Sequence, residues 1–387
     1  MNFSLNEEQQ LLRQSVREFC ERHILPHAAT WDIEERFPHE LIPHMAELGL
    51  LGMQIPSEYG GSGMSCVDYV VALEEVAKAD ASVGLTMASH NSLCTGHIFL
   101  AGNEAQRRKY IPPLASGRVL GAWGLTEPGS GSDAGAARTR AERRQGPNGE
   151  TLWSITGSKT FITQGSVAGI YTVLASTSPE KEQKGLTAFV IEKGTPGFHA
   201  GRKIEKMGLN ASDTTELVLE DVVIPDSQRL GEVDHGFFDT LKILDKGRVG
   251  IGIWAVGIGT AAFEAARTYA KDRVQFGRSI SDFQAIQHML ADMATELDAA
   301  RLLVYRAAWM QDQGMINTRE ASVAKYYAAR AAMRACNNAI QIHGGYGYTR
   351  EFPVERYFRD VKLAEIGEGT NEVQKIVIAR EVLKDFA

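Results

Sequence analysis

The stretch VAKYYAARAAMRACNNAIQI, residues 323–342, contains no glycine or proline, and seven of its twenty residues are alanine. Such a composition, with apolar residues recurring at helical spacing, predicts a long helix packed closely against others. Met289–Met310 reads the same way, rich in Ala, Leu, Met, Arg and Glu. Working outward, the region from Asp226 to Phe352 holds no proline, whereas eleven of the twelve prolines lie at or before Pro225. Long helices cannot tolerate a residue that lacks an N–H and clashes with the preceding turn, so this region is read as a helical bundle from about Gly236 onward. Upstream, between Val119 and Val223, the apolar residues come in short β-rich runs: Leu152–Ile155, Phe161–Thr163, Ile170–Leu174, Leu186–Ile191 and Leu217–Ile224. These predict a small sandwich or barrel. Residues 1–118 return to helical spacing, with Asn6-Glu7 as a start signal, Leu11, Leu12, Val16 and Phe19 on one face, and Val67–Ala79 as a second helix. The expected order is an α+β, mostly α chain: a helical domain over 1–118, a β domain over 119–227 and a helical bundle over 228–387.

The 387 residues carry 41 basic and 48 acidic side chains, a net charge of −7. That balance disfavours nucleic acid and anionic membranes as partners. Arg138, Arg140, Arg143 and Arg144 precede a Gly-Pro-Asn-Gly turn and read as a solvated strand. Cys20, Cys66, Cys94 and Cys336 are far apart and form no CxxC pair, so neither a disulfide framework nor a metal site is expected. The first twenty residues have early acids and no apolar core, unlike a targeting segment, and no unbroken run of eighteen apolar residues marks a spanning helix. A cytoplasmic location is the expectation.

Three glycine-rich segments carry candidate chemistry. In Trp123–Gly135, glycines alternate with Thr126, Ser130, Ser132 and Asp133, which lets backbone N–H groups and hydroxyls approach a flat or phosphorylated ligand. In Gln341–Tyr348, Gly344 is the natural helix stop, while Gly345 and Gly347 imply a further close backbone approach. In Glu365–Glu372, Glu368 stands between Gly367 and Gly369, just before a helix that Thr370 or Asn371 can cap. Taken alone, the first segment reads as an ordinary turn-rich connection, a helix C-cap explains one glycine of the second, and Glu368 reads as an exposed loop carboxylate. Gly257–Ala262 matches a dinucleotide-binding GxGxxA pattern, but its flanks read as one uninterrupted helix, which favours close helix packing.

Taken together, the segments resemble the acyl-CoA dehydrogenase family over essentially the whole chain. Gly124–Ala136 fits its first signature and Gln341–Asp360 its second, including Arg356 and Asp360. Gly129–Ala137, Asp245–Ile251 and Ala299–Ala308 look like the short-chain, butyryl-type branch. The resemblance implies an FAD-dependent enzyme, usually a homotetramer, that oxidises a saturated acyl-CoA to the trans-2-enoyl-CoA and passes electrons to an electron-transferring flavoprotein. It places the catalytic base at Glu368, which takes the α-proton while flavin N5 takes the β-hydride. The Glu368 N–H and the FAD ribityl chain would hold the thioester oxygen. It assigns Trp123, Leu125, Thr126, Ser132, Phe161, Ile162 and Thr163 to the flavin and its phosphates. Arg273, Phe276, Phe283, Gln284, Gln341, Gly344 and Gly345 fall to the adenosine and pyrophosphate end, part of it supplied by a neighbouring subunit. Thr370 and Glu372 would contact the cofactor beside the base. Ser132, Asp245, Arg248, Gly367, Glu368 and Gly369 would contact the acyl-CoA.

The sequence departs from the family pattern at Gly367, where a tyrosine is common, at Phe161, where tryptophan is, and at Gln164, where asparagine is. A minority branch carries its base at the position of Gly247, which here has no side chain. Gly84 stands where a glutaryl-oxidising branch has an arginine, which argues against a dicarboxylyl substrate and leaves short or medium straight chains. An oxygen-using acyl-CoA oxidase and a catalytically inactive acyl-CoA-binding homologue remain as alternatives.

Overall fold

The computed structural model describes residues 4–384. The N-terminal helices are α1 (Glu7–His23), α2 (Ala28–Glu34), α3 (Leu41–Glu47), α4 (Cys66–Ala79), α5 (Ala81–Ala88), α6 (Gly96–Ala101) and α7 (Glu104–Ala115). Asn6 caps α1 and Ser65 caps α4, each in a reciprocal capping box that satisfies two otherwise orphaned N–H groups. Pro43 lies within α3, and Pro112 and Pro113 lie in the last turns of α7, so these prolines sit inside helices. Pro43 occupies the first turn of α3, where an N–H would have no partner within the helix, and Pro112 and Pro113 interrupt only the end of α7. Between α5 and α6 the helix does not stop but widens into a π-helical run, Ser89–Thr95, every residue of which is buried.

The central strands are β1 (Gly121–Gly124), β2 (Arg140–Gln145), β3 (Thr151–Thr163), β4 (Ile170–Ser176), β5 (Leu186–Glu192), β6 (Phe198–Lys203), β7 (Thr214–Pro225) and β8 (Arg229–Leu230). They form one eight-stranded sheet in the order β6-β7-β3-β2-β4-β5-β8, with β1 pairing β4 in parallel. Leu152–Ile155 and Phe161–Thr163 prove to be a single strand, β3. Two register shifts against β7 break its alternation, which is why the sequence reads as two runs. Strand β2, home of the arginine cluster, is exposed except for Ala141, so the solvated reading is correct.

The C-terminal part is built on α8 (Gly236–Asp272), α9 (Gln284–Asp312) and α10 (Thr318–His343), followed by α11 (Val354–Val361) and α12 (Asn371–Lys384). A small hairpin, β9 (Val274–Gln275) and β10 (Arg278–Ser279), joins α8 to α9. Helix α8 is long and apolar enough to cross a membrane, but most of its apolar stretch is buried within the protein. The Gly257–Ala262 pattern is helix packing: a Cβ on Gly257 would strike the Glu74 carbonyl and Ala77, and one on Gly259 would strike Ala332. The four cysteines are free and buried, and no cluster of metal-ligating side chains exists among the described residues.

Candidate functional site

Glu368 sits at the head of a tight loop between the α11 region and α12. Its φ is +51° and that of Gly369 is +90°, two successive left-handed residues. Holding a glutamate there costs about 1–3 kcal/mol, so the surroundings must over-determine the turn. They do. Thr370 Oγ1 accepts the Val373 N–H and caps α12, and buried Gln374 donates to the carbonyls of both Glu368 and Gly369. Lys325 of α10 donates to the Gly369 carbonyl at 2.7 Å.

This turn drives the Glu368 carboxyl inward. Oε2 is buried and has no hydrogen-bond partner among the described residues, and it abuts Gly247 of α8 so closely that a Cβ there would overlap it. Leu93, in the π-helical run, lies at ordinary contact distance from the same point. Burial pushes the carboxyl up to about 7, opposed by the positive charges of Lys325 and then Arg248. Among the described residues the Glu368 N–H has no protein acceptor. A fully buried Tyr69 Oη, also without a partner, faces the same space, and the negative charge of Glu368 helps burial to keep that phenol neutral.

The raised pKa also bears on stability. An ordinary glutamate ionises near 4.5 when unfolded and this one near 7 when folded. Folding is therefore unpenalised below pH 4.5 and loses stability as pH rises through 7. Glu368→Gln removes that penalty, so the variant should gain about 2 kcal/mol over the parent between pH 5 and pH 8. Denaturant unfolding of cofactor-free protein at the two pH values checks this; an equal difference at both would contradict it.

The structure joins the other predicted residues into two groups. The first surrounds β1 and β3. Thr160 N–H donates to the Thr126 carbonyl, which brings Trp123, Leu125 and Thr126 beside Phe161, Ile162 and Thr163. Phe161 lies at a bulge with φ +57° and is 65% exposed, a flat apolar ring that a strained backbone presents to an open face. Trp123 Nε1 donates to His97 Nδ1 at 3.0 Å, and burial pushes His97 down to about 4, which keeps it a neutral acceptor. The segment is braced by the buried pair Lys159–Glu127 at 2.7 Å, whose carboxylate also accepts the Arg138 and Thr139 N–H groups. Ser132 is exposed, and nothing lies within 4 Å of a Cβ on Gly129 or Gly131. Trp123, Leu125, Leu93 and Ile243 share one apolar cluster, which places this group against the Glu368 end of α8.

The second group lies at the opposite end of α8. Arg273 stacks over Tyr346, 5.6 Å from the ring centre, beside Gln341, Gly344 and Gly345 at the end of α10. Phe276 is 93% exposed with φ +52°, and its ring meets that of Phe283 edge-on, next to Gln284 at the start of α9. Arg248 and Arg273 are separated by about 37 Å along the helix. A single chain therefore does not bring the two groups together.

The surroundings of several other candidate residues are also defined. Of the three glycines after α10, only Gly344 and Gly345 are open, whereas Gly347 packs on the carbonyl of Ile340 and serves the chain's own fold. Thr370 Oγ1 accepts the Val373 N–H as a helix cap and retains its O–H as a donor, while Glu372 lies exposed in the first turn of α12. Asp245 is committed to Arg248 and to Thr318 Oγ1 at 2.6 Å, which leaves the buried Arg248 Nε as the unpartnered atom of that pair. Sequence reasoning missed Tyr69, His97 and Lys325, which lie on helices with no local signal of function. It noticed Gln164 only as a departure: this side chain is fully buried, both its polar atoms lack partners, and its φ is +65°.

The open, strained Phe161 ring, the empty space over Gly129 and Gly131 and the orphaned amide of Gln164 fit a flat cofactor carrying polar groups. Three family models cover the chain: acyl-CoA dehydrogenase N-terminal domain over residues 6–118, middle domain over 122–222 and C-terminal domain over 234–383. The short-chain specific acyl-CoA dehydrogenase of Clostridium acetobutylicum is 45% identical over 384 residues, which covers 99% of this chain and 100% of that one. The solved structure of butyryl-CoA dehydrogenase from Megasphaera elsdenii matches with a TM-score of 0.96 at 43% identity, over 99% of this chain and 100% of that one. A chain solved in work on the electron transferring flavoprotein of Acidaminococcus fermentans matches equally well, with TM-score 0.96, 43% identity and the same coverage.

Proposed function

Because this chain belongs to the acyl-CoA dehydrogenase family, FAD-dependent oxidoreductases acting on CH–CH bonds, we propose that it converts a short, straight-chain acyl-CoA to the trans-2-enoyl-CoA with Glu368 as the base. The observation that carries this reading is the buried Glu368 carboxyl, with one oxygen unpartnered and pressed against a glycine. A carboxylate of ordinary acidity is too weak a base near neutral pH. One lifted to about 7 by burial is half ionised there and suited to take a proton from carbon. The α-proton goes to Oε2, and the free Glu368 N–H donates to the thioester oxygen as negative charge builds on it. The bound cofactor supplies the two-electron acceptor for the β-hydride. Trp123, Leu125, Thr126, Phe161, Ile162 and Thr163 would hold its flavin part and Ser132 a phosphate. Arg273, Phe276, Phe283, Gln284, Gln341, Gly344 and Gly345 would hold the adenosine end of a cofactor seated mainly on a second copy, a reading that the separation along α8 supports. An electron-transferring flavoprotein is the proposed acceptor.

Packing favours a small, unbranched, uncharged acyl tail. Gly84, the position of the glutaryl-type arginine, is wedged against Ala77 and Trp254, with no room for the cationic side chain that would pair a distal carboxylate. Tyr69 Oη would stand 3.3 Å from a Cβ on Gly250, one turn of α8 from the Gly247 that Glu368 abuts. The test is anaerobic bleaching of the bound flavin by straight acyl-CoAs from C4 to C16, with glutaryl-CoA and a branched acyl-CoA alongside. Bleaching confined to the shortest straight chains is expected, whereas a preference for long, branched or dicarboxylyl substrates would overturn the assignment.

Gly367 tunes the same pocket. The atoms nearest to a Cβ there belong to Leu363, at 3.4 Å and beyond, so a side chain can be added without rebuilding the loop. Gly367→Tyr should shift the optimum to shorter chains, with the longest accepted substrate losing at least tenfold in kcat/KM. An unchanged chain-length profile would show that this position does not border the acyl tail.

A further inference from the structure

Lys325 of α10 has only 1% of its surface exposed, yet no carboxylate lies within ion-pair distance of it among the described residues. Its ammonium makes one hydrogen bond, to the carbonyl of Gly369. A buried ammonium without an anionic partner is costly, and apolar residues of similar volume usually serve stability better. Its position is therefore informative: it holds the carbonyl of the residue that follows the base, in a turn with two left-handed residues.

We infer that Lys325 is a positioning residue for the proposed reaction, pinning the Glu368–Gly369 turn while its charge holds the Glu368 carboxyl in the ionised form that accepts the α-proton. This rests on Glu368 being the base. Three elements bring titratable or charged groups to the carboxyl: α10 brings Lys325, α8 brings Arg248 and α4 brings Tyr69. Burial raises the carboxyl and both cations lower it, Lys325 more than Arg248. The influence is mutual. Burial lowers the Lys325 ammonium to about 8, and Glu368 resists that fall, helped by Glu365 and Glu372 and opposed by Arg248. The neutral amide of Gln374 donates to the same two carbonyls, so clamping and charge can be separated by mutation.

The experiment measures kcat against pH for the FAD-loaded enzyme and for Lys325→Met, Lys325→Arg and Gln374→Ala. Lys325→Met should move the acid limb up by about one pH unit, a tenfold loss near pH 6, and should recover to within about threefold of the parent on the alkaline plateau. Gln374→Ala, which loosens the turn but keeps the charge, should lower the plateau and leave the limb in place. Lys325→Arg should also leave the limb in place. A Lys325→Met limb that coincides with the parent's, or one that Gln374→Ala moves equally far, overturns the inference. If Lys325→Met does not accumulate as a folded flavoprotein, Lys325→Arg decides: an unmoved limb with a lowered plateau supports the inference and a displaced limb overturns it. Glu368→Gln, run in parallel, separates the two levels. Its activity would sink both proposals, whereas an inactive Glu368→Gln beside an unmoved Lys325→Met limb sinks only this one.

Discussion

Glu368→Gln should yield a yellow, FAD-loaded protein that binds acyl-CoA and has lost at least about a thousandfold in turnover, the range expected when a positioned general base is removed. Glutamine keeps the shape and the buried volume, and the turn is held through backbone carbonyls by Lys325 and Gln374, so the loop has no reason to move. The Glu368 N–H, with no protein acceptor, also survives the change. Binding and proton removal should therefore separate. The flavin should respond spectrally to an added acyl-CoA without bleaching. Bleaching at a rate near that of the parent would show that another group removes the α-proton.

Gly247→Ala should be nearly as damaging although it adds one methyl group. A Cβ at 247 overlaps Glu368 Oε2. That atom is the free end of a flexible side chain, so the protein should fold and load FAD normally while the carboxyl swings aside. A displacement of about 1 Å from the reacting carbon is enough for a hundredfold loss. Thermal unfolding and flavin content should match the parent while kcat falls by about that factor. Full activity would mean that the carboxyl works from a position other than the one against α8.

The helical–β–helical order was legible because each region advertises its period. The bundle could be read from its missing prolines and alanine-rich faces, and α8 duly runs uninterrupted from Gly236 to Asp272. The β region could be read from its runs, although the bulge before Ile162 hid the continuity of β3. That bulge is also what turns Phe161 outward, so the irregularity that disguised the strand belongs to the candidate cofactor face. The π-helical run at Ser89–Thr95 left no trace, because a wider turn alters hydrogen bonding without altering composition.

By itself the sequence determined the family, the three glycine-rich segments and Glu368 as the candidate base, because motif identity and backbone permissiveness are written locally. Only the tertiary structure decided what surrounds that carboxyl: Gly247 against its oxygen, Tyr69 beyond it, Lys325 behind its turn. Each comes from a different helix, and each looks like an ordinary helix residue in its own segment. The tertiary structure also decided that the Arg273 group stands a helix length away from Arg248. The physical reason is that burial, charge and distance are properties of how helices stack, so a pattern that specifies each helix separately does not state which of its residues will share a site.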